Sequence, residues 1–239
     1  KGEELSELRA QYKDYTVWLE QEEQQKEIEK QKGYWLNKFS KDLDVLELPY
    51  DFPRSSKDND KGGNFIKRVN PSKVEQLKEI AKSEGVRMYG LFLSMFKILL
   101  YKLSNQQDII VGTPVAARPH IDLESITGVF INTLPIRNNV NGQITFKDFV
   151  KHIKEGCTVD LDNQLYPYED LVDELQIDRD SNRNPLFDVS FNFMKQDWNL
   201  LHIPGISIEP YTMEYSASKF NLSMIIIEKG GEMNIHLEY

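Results

Sequence analysis

A mixed α/β fold (α+β in arrangement), with helices laid over a mixed β-sheet as a two-layer sandwich, is predicted by three observations. Segments of helical and of strand periodicity follow one another as helices, strand, helices, strands, helices, strands, which is the order of a sheet covered by helices. The run 88–103 is apolar on most sides and so marks a helix at the centre of a core. The last third alternates apolar and polar residues with a period of two and is interrupted at Lys229-Gly230-Gly231, the signature of a hairpin.

Each element has its own warrant. Residues 1–40 read as a helical lead-in, rich in Glu, Gln and Lys, with Leu5, Leu8, Tyr12, Tyr15 and Leu19 three or four apart on one face. Between Glu20 and Lys32 that face vanishes, which predicts a solvated helix or an exposed connection. Apolar residues return at Tyr34, Trp35 and Phe39. Residues 41–63 form a loop connection, with prolines in LPYDFPR and then SSKDNDKGG. The stretch 64–239 is expected to be the main subdomain. It opens with a strand at 65–69 and a helix launched by Asn70-Pro71-Ser72, with Val74, Leu77, Ile80 and Ala81 inward and Gly85 beyond its end. A strand at 109–111 runs into Gly112-Thr113-Pro114, and a second is expected at 129–136. Phe146, Phe149, Val150, Ile153 and Cys157 share a helical face, so Cys157 reads as a packed thiol. A short helix at 168–176 turns Leu171, Val172 and Leu175 inward. In 186–193 Phe187, Val189, Phe191 and Phe193 point one way and Asp188, Ser190 and Asn192 the other. Strands at 220–228 and 232–239 make the hairpin, with His236 on its solvated side.

Composition excludes several function classes. The 239 residues are 40 % hydrophobic and 28 % charged, ordinary for a globular chain. With 29 Lys and Arg against 38 Asp and Glu, the net charge is −9, which gives no overall pull toward nucleic acid or an anionic membrane. One cysteine allows no internal disulfide, and His120, His152, His202 and His236 are too scattered for a metal site. The most apolar stretch contains Lys97 and is too short to span a bilayer. The charged start, KGEELSEL, does not read as a signal peptide, and a cytoplasmic location is expected. Phosphate loops of the GxxxxGK(S/T) type, GxGxxG after a strand, GxSxG and HExxH are all absent.

Six segments in order carry more than local chemistry does: YKDYTVW at 12–18, LPYDFPR at 48–54, VGTPVAAR at 111–118, GVFINTLPIR at 128–137, NQLYPYEDLV at 163–172 and RDSNRNPLFDV at 179–189. In this order they resemble the condensation domains of nonribosomal peptide synthetases. Departures are small: Leu165 and Tyr168 stand where the family usually has Asp and Phe, and Ala117 where Gly is common. The family's HHxxxDG motif, whose second histidine is usually assigned to catalysis, is absent from this sequence. The resemblance therefore implies the C-terminal, acceptor-side half of a condensation domain, a chloramphenicol-acetyltransferase-like subdomain with residues 1–40 as the lead-in between two subdomains. It implies amide formation in bacterial peptide-antibiotic biosynthesis, with no catalytic residue in this chain and no activity of the chain alone. Substrates would arrive on the phosphopantetheine of peptidyl and aminoacyl carrier domains, with no directly bound cofactor or metal. The implied partners are the N-terminal condensation subdomain, those carriers and the adenylation domain of the same synthetase.

Site residues follow from the same match. Gly112, Thr113 and Pro114 resemble the loop at the floor of the substrate channel, and Asn132 the family's channel asparagine. Strand alternation puts Asn132 on a face with Phe130 and Leu134, where a polar side chain needs a partner. Tyr15, Trp18, Arg54, Arg118, Arg137, Tyr168, Glu169, Arg183 and Asn184 are expected to serve structure: Glu169 at a helix N-terminus, Arg183 through a bidentate carboxylate pair. An epimerization or heterocyclization domain of the same fold is the alternative within the family; epimerization domains tend to carry Trp-Phe-Thr where this chain has VFINT. A non-catalytic carrier-docking module is the alternative outside it, supported only by the acidic segment 20–32.

Overall fold

The protein is described from a computed structural model, which defines residues 7–41, 43–51, 62–177, 183–196, 205–206 and 217–239. Arg54, His202 and Leu5 lie outside the described residues. The chain forms two compact units. The first gathers Lys1–Leu43, Pro114–Leu134 and Val159–Ile177; the second gathers Asp44–Thr113, Pro135–Thr158 and Asp178–Tyr239. The expected lead-in is thus one of three segments that build the first unit.

The second unit holds the sheet. Its elements are β1 (Asn64–Val69), α3 (Pro71–Ser83), α4 (Met88–Ser104), β2 (Asp108–Val115), β3 (Asn132–Asn139), α5 (Phe146–Asp162), β4 (Val189–Lys195), β5 (Leu222–Lys229) and β6 (Glu232–Glu238). The six strands lie in the order β1-β6-β5-β4-β2-β3. β1 and β5 flank β6 antiparallel, whereas β4 runs parallel to β5 and to β2, so the sheet is mixed. β2 belongs to this unit as far as Thr113, β3 from Pro135 and α5 through Thr158.

Local chemistry explains the element ends. The Asn70 side chain accepts from Ser72 N at 2.9 Å, Pro71 occupies the first helical position, and Gly85 takes a φ of 61° after α3. Gly230 and Gly231, at φ 56° and 83°, form the two-residue turn whose twist suits a hairpin, and Lys229 pairs with Glu232 across it. α4 is the central helix: Leu91, Leu93, Phe96 and Leu100 are each no more than 1 % exposed. It lies against β4, with the Tyr89 and Phe96 rings 5.3 and 6.1 Å from that of Phe191. Lys97 is wholly buried in the same helix, and its ammonium donates to the carbonyls of Ile109 on β2 and Ile136 on β3 at 2.9 and 2.8 Å. Ala81, Leu91 and Val150 seal α3, α4 and α5 together, and Cys157 is buried.

The first unit contains α1 (Tyr12–Leu19), α2 (Glu22–Lys38) and α6 (Tyr168–Glu174). The single lead-in helix expected from the sequence is two helices. The chain breaks after Glu20 because Gln21 takes an extended conformation, φ −65° and ψ 144°, and starts α2 afresh. Nor is the polar stretch wholly solvated: Gln31 is 3 % exposed. The strand expected from 129 begins only at Asn132. The Tyr12 hydroxyl holds the Val129 carbonyl at 2.8 Å, and the Asn132 side chain takes Thr133 N at 2.8 Å. Likewise β4 starts at Val189 rather than 186, because Leu186 sits at φ 66° and Phe187 N turns back to Pro185 O at 2.8 Å. His236 is half-buried between Ile66 and Ile225 rather than solvated.

Candidate functional site

The four channel candidates divide between the units: Gly112 and Thr113 fall in the second, Pro114 and Asn132 in the first. Gly112 pairs with Ser190 of β4, and a Cβ placed on it would sit 2.0 Å from Cε2 and 2.3 Å from Cζ of Phe187. No side chain fits there while that ring, stacked on Phe220, keeps its place. Thr113 is 2 % exposed, and its hydroxyl donates to Phe191 O at 2.9 Å while accepting from the Tyr89 hydroxyl at 3.1 Å. The hydroxyl locks β2 to β4 and α4. Pro114, directly after it, is exposed.

In the first unit, the motifs at 12–18 and 128–137 meet as an aromatic cluster. The Phe130 ring lies 5.2 Å from Tyr12 and 4.8 Å from Tyr15, and Trp18 stacks on Tyr15 at 5.8 Å. Arg118 covers Phe130 with its guanidinium 3.9 Å from the ring centre, and donates to the carbonyls of Leu123 and Ile126. Gly128 admits the Tyr12 ring, which would stand 2.2 Å from an added Cβ. Ala117, buried one residue before Arg118, takes φ 43°.

Asn132 has every hydrogen-bonding position of its amide engaged. Nδ2 donates to the carbonyls of Gln164 and Tyr166, both at 2.8 Å; Oδ1 accepts from Thr133 N at 2.8 Å and Tyr168 N at 3.2 Å. Two residues of α2 hold the same segment. Gln31 Oε1 accepts from Leu165 N and Tyr166 N at 2.9 and 3.3 Å, and the Trp35 indole donates to Asn163 O at 2.8 Å. Backbone groups from Asn163 to Tyr168 that form no helix ladder are thus satisfied by three side chains. α6 then begins at Tyr168 with Glu169 and Asp170 in its first turn, where carboxylates oppose the helix dipole. Close by, Asp160 is fully buried and accepts from Tyr34 and Lys38. Gln31 and Asp160 were not singled out from the sequence; their one available signal is a polar residue at core spacing, Gln31 preceding Trp35 by one turn.

The remaining candidates tie loops and strands. Arg137 on β3 makes a forked pair with Asp108 on β2, Nε at 3.0 Å and Nη2 at 2.6 Å. Arg183 reaches two carboxylates, Glu47 at 3.4 Å and Asp188 at 3.7 Å, instead of one in bidentate fashion. Asn184 N donates to Asp188, and its amide to Lys219 O at 3.1 Å. Among the described histidines, His120 accepts from Asp122 N at 3.2 Å, and burial pushes the His236 imidazole below its ordinary pKa against a smaller opposing pull from Glu238. Among the described residues no three His, Cys, Asp or Glu side chains converge as metal ligands, and no helix is long and apolar enough to cross a membrane.

Comparison with known proteins is extensive along the whole chain. The family profile described as Condensation domain matches residues 1–239. Gramicidin S synthase 2 of Brevibacillus brevis is 40 % identical over 240 residues, and bacitracin synthase 3 of Bacillus licheniformis 38 % over 238, each across 100 % of this chain. The chain spans only 5 % and 4 % of the length of those two proteins. Among solved structures, the X-domain from teicoplanin biosynthesis superposes with a TM-score of 0.80 at 23 % identity, over 99 % of this chain and 55 % of that one.

Proposed function

From the premise that the chain belongs to the condensation-domain family, we propose that it is the C-terminal, acceptor-side part of a condensation domain in a nonribosomal peptide synthetase. The observation that carries this reading is the ordered motif set within a match that runs from residue 1 to 239. In the reaction, the α-amine of a carrier-bound aminoacyl acceptor attacks the thioester carbonyl of a carrier-bound donor. A C–N bond forms, the C–S bond breaks, and the donor's phosphopantetheine leaves as a thiol that takes the proton released by the amine. Both reactants are tethered, so the protein's task is to hold them in line and stabilise the tetrahedral intermediate.

Within that reaction Gly112 and Thr113 in the second unit, and Pro114 and Asn132 in the first, act by fixing backbone rather than by offering reactive groups. The Thr113 hydroxyl and the Asn132 amide are already engaged inside the protein, which supports this role. The catalytic histidine is assigned to the HHxxxDG-bearing N-terminal subdomain. Carrier and adenylation domains of the same synthetase are the further partners, in the bacterial cytoplasm.

The test mixes the chain with donor- and acceptor-loaded carrier proteins and follows dipeptidyl thioester by mass spectrometry. The expected result is no product from the chain alone and product when an HHxxxDG-containing N-terminal subdomain is added. Product from the chain alone refutes the assignment of catalysis to the other subdomain. D-residue formation by the complemented protein, without amide product, refutes condensation.

A further inference from the structure

The sheet ends in β3 on one side and in β1 on the other, and the two edges differ. β3 holds Pro135 and is buried over 134–136, both of which close an edge to further pairing. β1 has neither protection. It pairs with β6 in an unbroken register without a bulge, and Phe65 and Ile66 are 53 % and 50 % exposed although they point to opposite faces. Among the described residues no strand lies on its outer side. Such an edge is a template for another strand.

The ladder fixes which backbone groups of β1 are open. Gly63 and Tyr239 exchange both hydrogen bonds, at 2.6 and 3.0 Å, so by alternation Phe65, Lys67 and Val69 also turn their N–H and C=O groups toward β6. Those of Asn64, Ile66 and Arg68 point away from the sheet. Charge then decides what fits there. Lys67 and Arg68 repel a basic strand, and an aliphatic one gives their charges no match. A second copy of β1 avoids both faults in one antiparallel register, with a two-fold axis at Ile66. Ile66 then meets its own mate, Lys67 meets the Phe65 ring, and Arg68 meets Asn64, whose neighbour on β6 is Glu238. An axis at Lys67 or Arg68 sets like charges opposite each other. An axis at Asn64 or Phe65 runs β1 off its end onto Gly62 and Gly63.

We propose that β1 is a self-association edge: it pairs antiparallel with β1 of a second copy of this chain about a two-fold axis at Ile66, joining the two sheets into one. The outward groups of Asn64, Ile66 and Arg68 are satisfied by the second copy, and the same surface serves on both sides, as a two-fold interface requires. One edge strand buries little area, so the dimer is weak, in the micromolar range, and exchanges with monomer. The pairing uses none of the channel candidates and does not rest on the condensation role.

The experiment is sedimentation velocity on the 239-residue chain from about 1 to 500 µM, the range in which so small an interface associates. A concentration-dependent shift from monomer to dimer is expected. Ile66→Pro removes an N–H that points outward, so the ladder with β6 survives while dimer affinity falls at least about tenfold. Phe65→Lys sets two ammonium groups opposite each other twice per dimer and should weaken it about fivefold. Adding Lys67→Glu to that variant turns each clash into an opposite-charge pair and should bring affinity back to within about threefold of the parent. Melting temperatures verify that the variants fold, and the charge pair tests the register even if the proline variant does not. A chain that stays monomeric overturns the proposal and gives the edge to an extended segment of another protein. A dimer unweakened by folded Ile66→Pro, or a double variant no tighter than Phe65→Lys, overturns it as well.

Discussion

Replacing Gly112 by alanine tests whether the glycine of the VGTPVAAR segment is there for chain freedom or for space. An added Cβ would stand 2.0, 2.3 and 2.6 Å from three atoms of the Phe187 ring. Carbon atoms pack at about 3.5–4.0 Å, so the ring must retreat by roughly 1.5 Å. It has nowhere easy to go: Phe187 is 6 % exposed, stacks on Phe220 at 5.9 Å, and follows Leu186 at φ 66°. Overpacking of this kind costs about 1–3 kcal/mol. In a strand without the clash, the same change would stabilise by about 0.5–1 kcal/mol through chain entropy. The net expectation for Gly112→Ala is a loss of about 1–2 kcal/mol. Phe187→Leu removes the obstructing ring edge and is destabilising alone, so the double variant should be more stable than the sum of the single changes by about 1 kcal/mol or more. Urea unfolding of the four proteins, read as midpoints at unchanged slope, measures this coupling. If the single effects add within about 0.5 kcal/mol, the steric account of Gly112 is wrong.

Three further expectations rest on other contacts. Asn132→Ala strips partners from Gln164 O, Tyr166 O and Tyr168 N and should cost about 2–4 kcal/mol, with faster amide exchange at Leu165 and Tyr166; a loss under about 0.5 kcal/mol refutes the clamp. Asn132→Asp places a carboxylate oxygen against two carbonyls, so that variant should be more stable near pH 4 than at pH 7, whereas the parent should not show that recovery. His236 has a folded-state pKa below the unfolded value of about 6.5, so the unfolded chain takes up its proton first. Stability should therefore drop as pH falls through 6.5 and level off below the folded pKa, and His236→Gln should flatten that part of the curve; Glu232, Glu238 and Arg68, on the same sheet face, remain in both proteins. Ala117, 4 % exposed at φ 43°, stores strain of about 1–2 kcal/mol that a glycine relieves while giving up a buried methyl and gaining unfolded-chain entropy. Ala117→Gly should thus change the melting temperature little, whereas Ala117→Val lowers it by several degrees; equal effects of the two refute left-handed strain at this position.

Features with a short-range cause were readable from the sequence. The Asn70-Pro71 start and Gly85 stop of α3, the buried run of α4, the Gly230-Gly231 hairpin and the inward Phe149, Val150, Ile153 and Cys157 of α5 each follow from a few neighbouring residues. Boundaries failed where a distant residue decides them. The strand start moves to Asn132 because Tyr12, more than a hundred positions away, holds Val129 O. The strand order is likewise invisible to periodicity, since β4 lies between β5 and β2 with long connections on both sides.

The candidate site shows the same limit in a sharper form. An asparagine among Phe130 and Leu134 announces that it needs partners, but whether those partners are substrate or backbone depends on where residues 164–168 fold. They fold onto Asn132, and the amide is filled by the protein itself. Gln31 does for Leu165 and Tyr166 what Asn132 does for Gln164 and Tyr168, although one sits in a polar helix and the other in a motif. Asn132 and residues 164–168 are therefore joined within the first unit by amide-to-backbone bonds that specify geometry without contributing charge. The proposed reaction between two tethered substrates would need that kind of fixed backbone more than further reactive groups.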